Sequence, residues 1–275
     1  MTDYLEDIDA TLPDFGEFYD ELPLWSAPFA LMLLERVPLD TRMTVVDVGA
    51  GTGFLTLELA QRCGPSATVI AVDPWAAAMH RLRRKLERNP LPNVRLIEGD
   101  AAALPLPEAS VDVVVSNLGI NNFDNADAVL ATCARVLKPG GRLLLTTNLV
   151  GHLQEFYAIY RQTLLALDLA ACLARLDEHI AHRATVESVG ARLARAGLAV
   201  SDATTGAFRM RFADGSALLR HRFMRLGFVP AWKAIVPPET HARFFPELER
   251  RLNLAAAERG ELALTVPTAL IEARR

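Results

Sequence analysis

Residues 45–60 read VVDVGAGTGFLTLELA. An apolar run closes at Asp47 and Val48, glycines follow at Gly49, Gly51 and Gly53, and a helix-compatible stretch begins at Phe54. Glycine lets a chain turn through positive φ and lets a ligand come close to the backbone. A loop of this kind delivers its ligand to a helix N-terminus, where N–H groups without intrahelical acceptors favour a carboxylate or a phosphate. A dinucleotide loop has the spacing G-x-G-x-x-G. Counted from Gly49, its third glycine would fall where this sequence has Phe54. The observed G-x-G-x-G is therefore not a pyrophosphate loop.

Outward from this stretch, short apolar runs recur: MTVVDV at 43–48, TVIAV at 68–72, VRLI at 94–97, DVVVS at 112–116 and RLLLTT at 142–147. Each reads as a strand buried on both faces. Between them the spacing predicts helices over 54–63, 76–88 and 124–137. The first is stopped by Gly64-Pro65 and the third by Lys138-Pro139-Gly140-Gly141. Alternation of this kind predicts an α/β fold, a Rossmann-like doubly wound sheet. After residue 148 the pattern changes. Helices are expected over 152–182, 186–196, 215–228 and 239–258, a weak strand over 198–212, and a last strand in LALTVPTALIEARR. Three parts follow: a helical and aromatic lid segment at 1–39, a core at 40–150, and the rest of the core at 151–275. The last carries helical insertions at about 152–182 and 213–258, more helix than a minimal sheet needs.

The polar residues that close the other strands give the glycine loop its context. The second strand ends in AVDP, placing Asp73 twenty residues beyond Gly53, where a carboxylate can accept hydrogen bonds from two ribose hydroxyls. The third ends in IEGDAAALPLP with Asp100, the fourth in VDVVVSNLGINN, and RVLKPGGRLLLTTN introduces the fifth. All lie at the carboxyl ends of strands, where open α/β sheets bind ligands. Over residues 40–150 these segments resemble the small-molecule class I S-adenosylmethionine-dependent methyltransferases, the group that includes the ubiquinone and menaquinone biosynthesis enzymes.

The resemblance implies a sheet of seven strands with the last antiparallel, and binding of S-adenosylmethionine and its product S-adenosylhomocysteine. It implies that Asp47, Gly49, Ala50, Gly51, Thr52 and Gly53 hold the methionine moiety. Asp73 and Pro74 would meet the ribose, Asp100 and Ala101 the adenine, and Asn117 and Leu118 the methyl-transfer side. Tyr19 and Trp25 lie in FGEFYDELPLWSAPF, 15–29, a stretch too aromatic for a free tail. Related enzymes fold such a segment over the cofactor, which would give Tyr19 a cofactor contact and Trp25 a substrate contact. Asn121, Tyr157 and Tyr160 are further substrate candidates, and His152 is a candidate general base. Nucleic-acid amino methyltransferases carry (N/D/S)PP(Y/F) after the fourth strand. Here that place reads SNLGINN.

The bulk properties narrow the class. The chain has 275 residues, 51% hydrophobic and 23% charged, with net charge −4. That is enough apolar residue for a large core, and it lacks the basic surplus of a nucleic-acid binder. Cys63, Cys133 and Cys172 are scattered, which points away from a metal and toward a reducing, cytoplasmic setting. MTDYLEDIDATLPDFGEF has no signal-peptide pattern, and no apolar run reaches the roughly 20 residues that span a bilayer. The run RLRRKLER, 81–88, reads as a solvated helix face. The expectation is a methyltransferase acting on a small organic molecule, with no nucleic-acid partner and no membrane insertion. The extra helices would roof a pocket or, alternatively, form a homodimer interface. Two rival functions stay open: a non-catalytic S-adenosylmethionine-binding protein, and an enzyme of this fold using the cofactor for other chemistry.

Overall fold

The computed structural model describes residues 3–6, 8, 15–20, 22 and 24–275. Parts of the lid segment expected at 1–39 (residues 1, 2, 7, 9–14, 21 and 23) lie outside the described residues. The strands are β1 Thr44–Val48, β2 Thr68–Asp73, β3 Val94–Glu98, β4 Val111–Asn117, β5 Leu137–Asn148, β6 Ala199–Phe212 and β7 Leu262–Arg274. The α-helices are α1 Phe15–Asp20, α2 Ala27–Leu34, α3 Phe54–Cys63, α4 Ala76–Arg88, α5 Ala126–Val136 and α6 Gln154–Ala166. They continue with α7 Leu173–Ala181, α8 Val186–Arg195, α9 Gly215–Arg220, α10 Arg222–Gly227, α11 Val229–Ile235 and α12 His241–Arg259.

The strands form one sheet in the order β3-β2-β1-β4-β5-β7-β6. Strands β1 to β5 pair in parallel, and β7 runs antiparallel to β5 from Arg142↔Arg274 to Asn148↔Thr268. This is the Rossmann-like seven-stranded sheet anticipated above. In β1 and β2 nearly every residue is buried, which is why TVVDV and TVIAVD show no alternation: helices cover both faces. The strand order reverses between β1 and β4, and such a switch point opens a crevice at the carboxyl ends.

The chain divides into two compact units. The sheet unit comprises Thr11–Asn148, Ala184–Gly206 and Thr268–Arg275. Its core gathers Leu33, Val45, Leu59, Val69, Val115, Leu144 and Leu270. The helical unit comprises Met1–Ala10, Leu149–Arg183 and Ala207–Pro267. Its core is aromatic. Phe156 stacks on Trp232 with ring centroids 4.0 Å apart, and Tyr160 packs on Phe244 at 4.6 Å. All four rings are fully buried. Tyr4 is buried in this unit under the Arg220 guanidinium, 4.9 Å from its ring, while Phe15–Asp20 belongs to the sheet unit.

Three expectations need correction. The helix expected over 152–182 is broken after Ala166, because Asp168 takes a left-handed φ of +57° and Leu169 N–H turns back to Leu164 O. The one over 215–228 is interrupted at His221, whose ψ of 127° is extended. Lys138-Pro139-Gly140-Gly141 does end α5, yet it lies inside β5 as a bulge, where the β4 register shifts between Val111 and Val113. A bulge leaves residues unpaired and so tolerates proline in a strand. Arg275 closes it, donating to Gly141 O and accepting from Gly140 N–H.

Candidate functional site

The glycine loop follows β1 directly. Gly49, Gly51 and Gly53 all have positive φ, at 76°, 55° and 85°. Gly49 N–H and Ala50 N–H both donate to Val72 O, tying the loop to the end of β2. Gly53 must be glycine for two reasons: its φ, and the Leu82 side chain, whose Cδ1 would lie 2.2 Å from a Cβ. Gly51 is different, since nothing stands within 4 Å of where its Cβ would be. The loop therefore packs tightly at Gly53 and is open at Gly51. Thr52 is buried, and its carbonyl accepts from Lys85 Nζ at 2.9 Å.

Two carboxylates flank the loop. Asp73 takes Gly51 N–H on one oxygen and Trp75 N–H on the other, both at 2.8 Å. It is 9% exposed, and burial raises its pKa against those two bonds. Asp73 thus staples the loop to β2 as well as offering its remaining lone pairs. Asp47 is wholly buried and accepts from Thr56 Oγ1 at 2.7 Å, locking the end of β1 to the first turn of α3. Desolvation pushes its pKa to about 7, opposed by the Thr56 hydroxyl bond and aided by the Asp73 charge. Pro74 follows Asp73 in the turn into α4.

Asp100 is exposed. It caps the short turn Ala101–Ala103 by accepting from Ala102 N–H at 2.8 Å, and Ala101 is buried beneath it. At the end of β4, Asn117 accepts from Thr146 Oγ1 at 2.8 Å and donates to Ser26 O at 3.1 Å. Leu118 holds φ +65°, a region that costs a branched side chain energy. Its N–H reaches Thr146 O and Oγ1, both at 3.2 Å. Asn121 is exposed and bonded to Asn148 at 2.8 Å and to the Thr147 hydroxyl at 2.5 Å. Sequence reasoning missed Thr56, Ser116, Thr146, Thr147 and Asn148. Their hydroxyls and amide hold the loops in place, Ser116 Oγ by donating to Val48 O at 2.8 Å. Thr56 lies inside α3 and had no signal of its own, whereas the other four stand among the polar residues that close β4 and β5.

The basic face expected to be solvated is partly covered. Arg81 and Lys85 of α4 pair with Asp20 of α1, Arg81 at 3.0 Å, and Arg84 pairs with Glu17. These pairs set α1 so that Tyr19 meets the Trp75 ring edge-on at 5.2 Å and Phe15 meets it at 5.7 Å. Burial and the Asp73 charge both raise the Tyr19 pKa. Trp25 packs on Phe29, 5.9 Å between centroids.

The remaining candidates lie in the helical unit. Tyr160 is fully buried and donates to Trp232 O at 2.8 Å, so its hydroxyl is committed to the core. Tyr157 is 4% exposed and bonded to His179 Nε2 at 2.9 Å and Trp232 Nε1 at 3.3 Å. His152 is buried and stacks on Phe228 at 5.4 Å. Burial first, and Arg183 next, push its pKa down to about 3. A base works best with a pKa near the operating pH, so the ring as folded is a poor proton acceptor.

Residues 46–145 match the family model described as a methyltransferase domain. The ubiquinone/menaquinone biosynthesis C-methyltransferase UbiE of Idiomarina loihiensis is 38% identical over 104 residues, 38% of this chain and 41% of that protein. The demethylmenaquinone methyltransferase of Thermus thermophilus is 37% identical over 120 residues, 44% of this chain and 52% of that one. The chain thus spans about half or less of the length of these relatives. The crystal structure of the YcgJ protein from Bacillus subtilis superposes with a TM-score of 0.60 at 17% identity, covering 90% of this chain and 98% of that chain. The stretch 46–145 is thus similar to a methyltransferase domain, and the fold as a whole is similar to that of the YcgJ protein.

Proposed function

We propose that the chain is an S-adenosylmethionine-dependent methyltransferase that transfers a methyl group to a small organic molecule. The observation that carries this is the loop at the β1/β4 switch point, stapled to Asp73 and open at Gly51. The residues present fit the cofactor. The open face at Gly51 is a cradle that any Cβ would fill, the first N–H groups of α3 lack intrahelical acceptors, and Asp73 keeps lone pairs for a ribose. Asp47, Gly49, Ala50, Thr52 and Gly53 would shape the methionine end. Asp100 and Ala101 would border the adenine, Asn117 and Leu118 the sulfonium side, and Tyr19 would cover the ribose side. When bound, the cofactor supplies an activated methyl group open to in-line displacement.

This chain's residues orient and exclude water. Leu118 is held left-handed by Thr146, and Asn117 is fixed from both ends, so the loop after β4 presents one shape. No general base is assigned. The Idiomarina relative is named as a ubiquinone/menaquinone biosynthesis C-methyltransferase, but the matched domain ends at residue 145, before the segments Leu149–Arg183 and Ala207–Pro267 of the helical unit. The substrate is therefore proposed only as a small organic molecule. Among the described residues no helix is long and apolar enough to cross a membrane. Three buried free thiols support the proposed reducing, cytoplasmic setting.

Calorimetry with S-adenosylhomocysteine and with NAD tests the reading. Binding of the former with NAD much weaker is expected, and methyl transfer from labelled cofactor to a metabolite extract should follow. Tight NAD binding without a response to S-adenosylhomocysteine would overturn it.

A further inference from the structure

Helices α6 and α12 of the helical unit lie side by side and antiparallel. Arg243, at the start of α12, donates to Leu167 O just past the end of α6 at 3.1 Å, and Glu155, at the start of α6, accepts from Thr265 N–H beyond the end of α12 at 2.9 Å. Their inner faces are closed, with Tyr160 packed on Phe244. On the outside the two helices leave an open groove of about 710 Å³. Ala158, Ile159 and Ala255 line it, and Leu254 stands in its wall at 50% exposure. A lone exposed leucine is ordinary. Here it stands beside a hollow lined by alanines.

The charges on α12 give the groove a direction. Arg251, Leu254, Ala255 and Glu258 all line it and recur at three- and four-residue spacing, so they form one row along the helix. The row is positive at its start and negative at its end. Arg250 and Arg251 share one carboxylate, Glu247, at 2.7 and 2.6 Å, and among the described residues Glu258 has no ion-pair partner. Such a row matches itself when reversed. A two-fold axis between Leu254 and Ala255 sets Arg251 of one copy against Glu258 of the other, twice, and each Leu254 against the other copy's Ala255. Arg250 and Arg259 flank the row on opposite sides, so the axis does not bring them together. A parallel arrangement would set Arg251 against Arg251 and Glu258 against Glu258.

We propose that this face of the helical unit is where two copies of the chain associate, α12 against α12 about a two-fold axis, with Leu254 of each copy entering the groove of the other. An interface of this kind is isologous and closes at two copies. Burial of Leu254 against the alanines supplies the attraction. The two Arg251–Glu258 pairs set direction and register: exposed ion pairs add little affinity, but like charges face to face exclude the wrong alignment. The surface uses no residue of the proposed cofactor site.

Sedimentation equilibrium of the full chain at tens of micromolar reads the association, and the parent should show twice the monomer mass. Leu254→Lys, Arg251→Glu and Glu258→Arg should each weaken it at least about 10-fold. Mixing the last two in equal amounts tests the register itself. Arg251→Glu alone sets glutamate against glutamate, and Glu258→Arg alone sets arginine against arginine. The mixture restores both opposite-charge pairs and should recover the dimer, which a misfolded variant could not do. A monomeric parent, a Leu254→Lys variant that stays dimeric, single charge variants that associate as the parent does, or a mixture no more dimeric than its components would overturn the proposal.

Discussion

Asp73→Asn separates two jobs that one carboxylate performs. In the structure both oxygens are engaged, each accepting a 2.8 Å backbone N–H, one from Gly51 and one from Trp75. Asparagine has the same shape but only one acceptor oxygen, so its NH₂ must face the other N–H. At 9% exposure little water can fill the gap. A charge-assisted hydrogen bond is worth roughly 1.5–3 kcal/mol, and relief of the carboxylate's desolvation offsets part of its loss. A net cost of about 1–3 kcal/mol lowers Tm by roughly 2–10 °C for a chain of this size. Loosening Gly51 also removes the shape of the open loop, so S-adenosylhomocysteine should bind at least about 10-fold more weakly. The assay is calorimetric melting of ligand-free protein beside a ligand titration. A ligand-free Tm equal to the parent's would refute the staple, leaving Asp73 a ligand contact only, as its position in the sequence first suggests.

Gly53→Ala and Gly51→Ala should differ in kind. The first combines left-handed strain with a 2.2 Å approach to Leu82, a destabilisation of roughly 2–5 kcal/mol. The second meets open space and should cost about 1–2 kcal/mol while weakening the cofactor more than its stability loss explains; urea unfolding and calorimetry compare them. Asp47→Asn isolates a pH effect. Because the folded pKa is raised from 3.8 to about 7, the native acid holds its proton where the unfolded one has lost it. That contribution is full below pH 3.8 and lost as pH rises through 7. The stability of the variant relative to the parent should therefore climb by up to about 4 kcal/mol between pH 4 and 7.5, and a gap independent of pH would show that Asp47 ionises normally. Tyr160→Phe leaves the buried Trp232 carbonyl without its 2.8 Å donor and should cost about 1–3 kcal/mol, read from urea midpoints.

The sheet was legible because its strands announce themselves in two ways, as Val- and Ile-rich runs and by the polar residue closing each one. Asp47, Asp73 and Asn117 all stand where such a run stops. What the residues do there was less legible. The Gly51–Asp73 bond joins positions 22 apart, and Asn117 meets Thr146 and Ser26 only through the fold. Periodicity carries no record of such partners. The helical unit was read as too continuous, since the residues that break it, Asp168 and His221, are neither glycine nor proline. The covering of RLRRKLER by α1 escaped notice because Glu17 and Asp20 lie more than 60 residues away.

Strand order also sets a timetable. The last strand in sequence, β7, lies between β5 and β6, and its Ile271 and Ala273 are wholly buried. As the chain leaves the ribosome, β5 is complete more than a hundred residues before its neighbour exists. Until then its edge presents unpaired N–H and C=O groups, and β6 has no sheet to join. An emerging chain with an open apolar edge invites pairing with other chains. The nascent protein therefore depends on shielding through synthesis of the whole helical unit, and a ribosome stalled within residues 207–261 would release a sheet that cannot close.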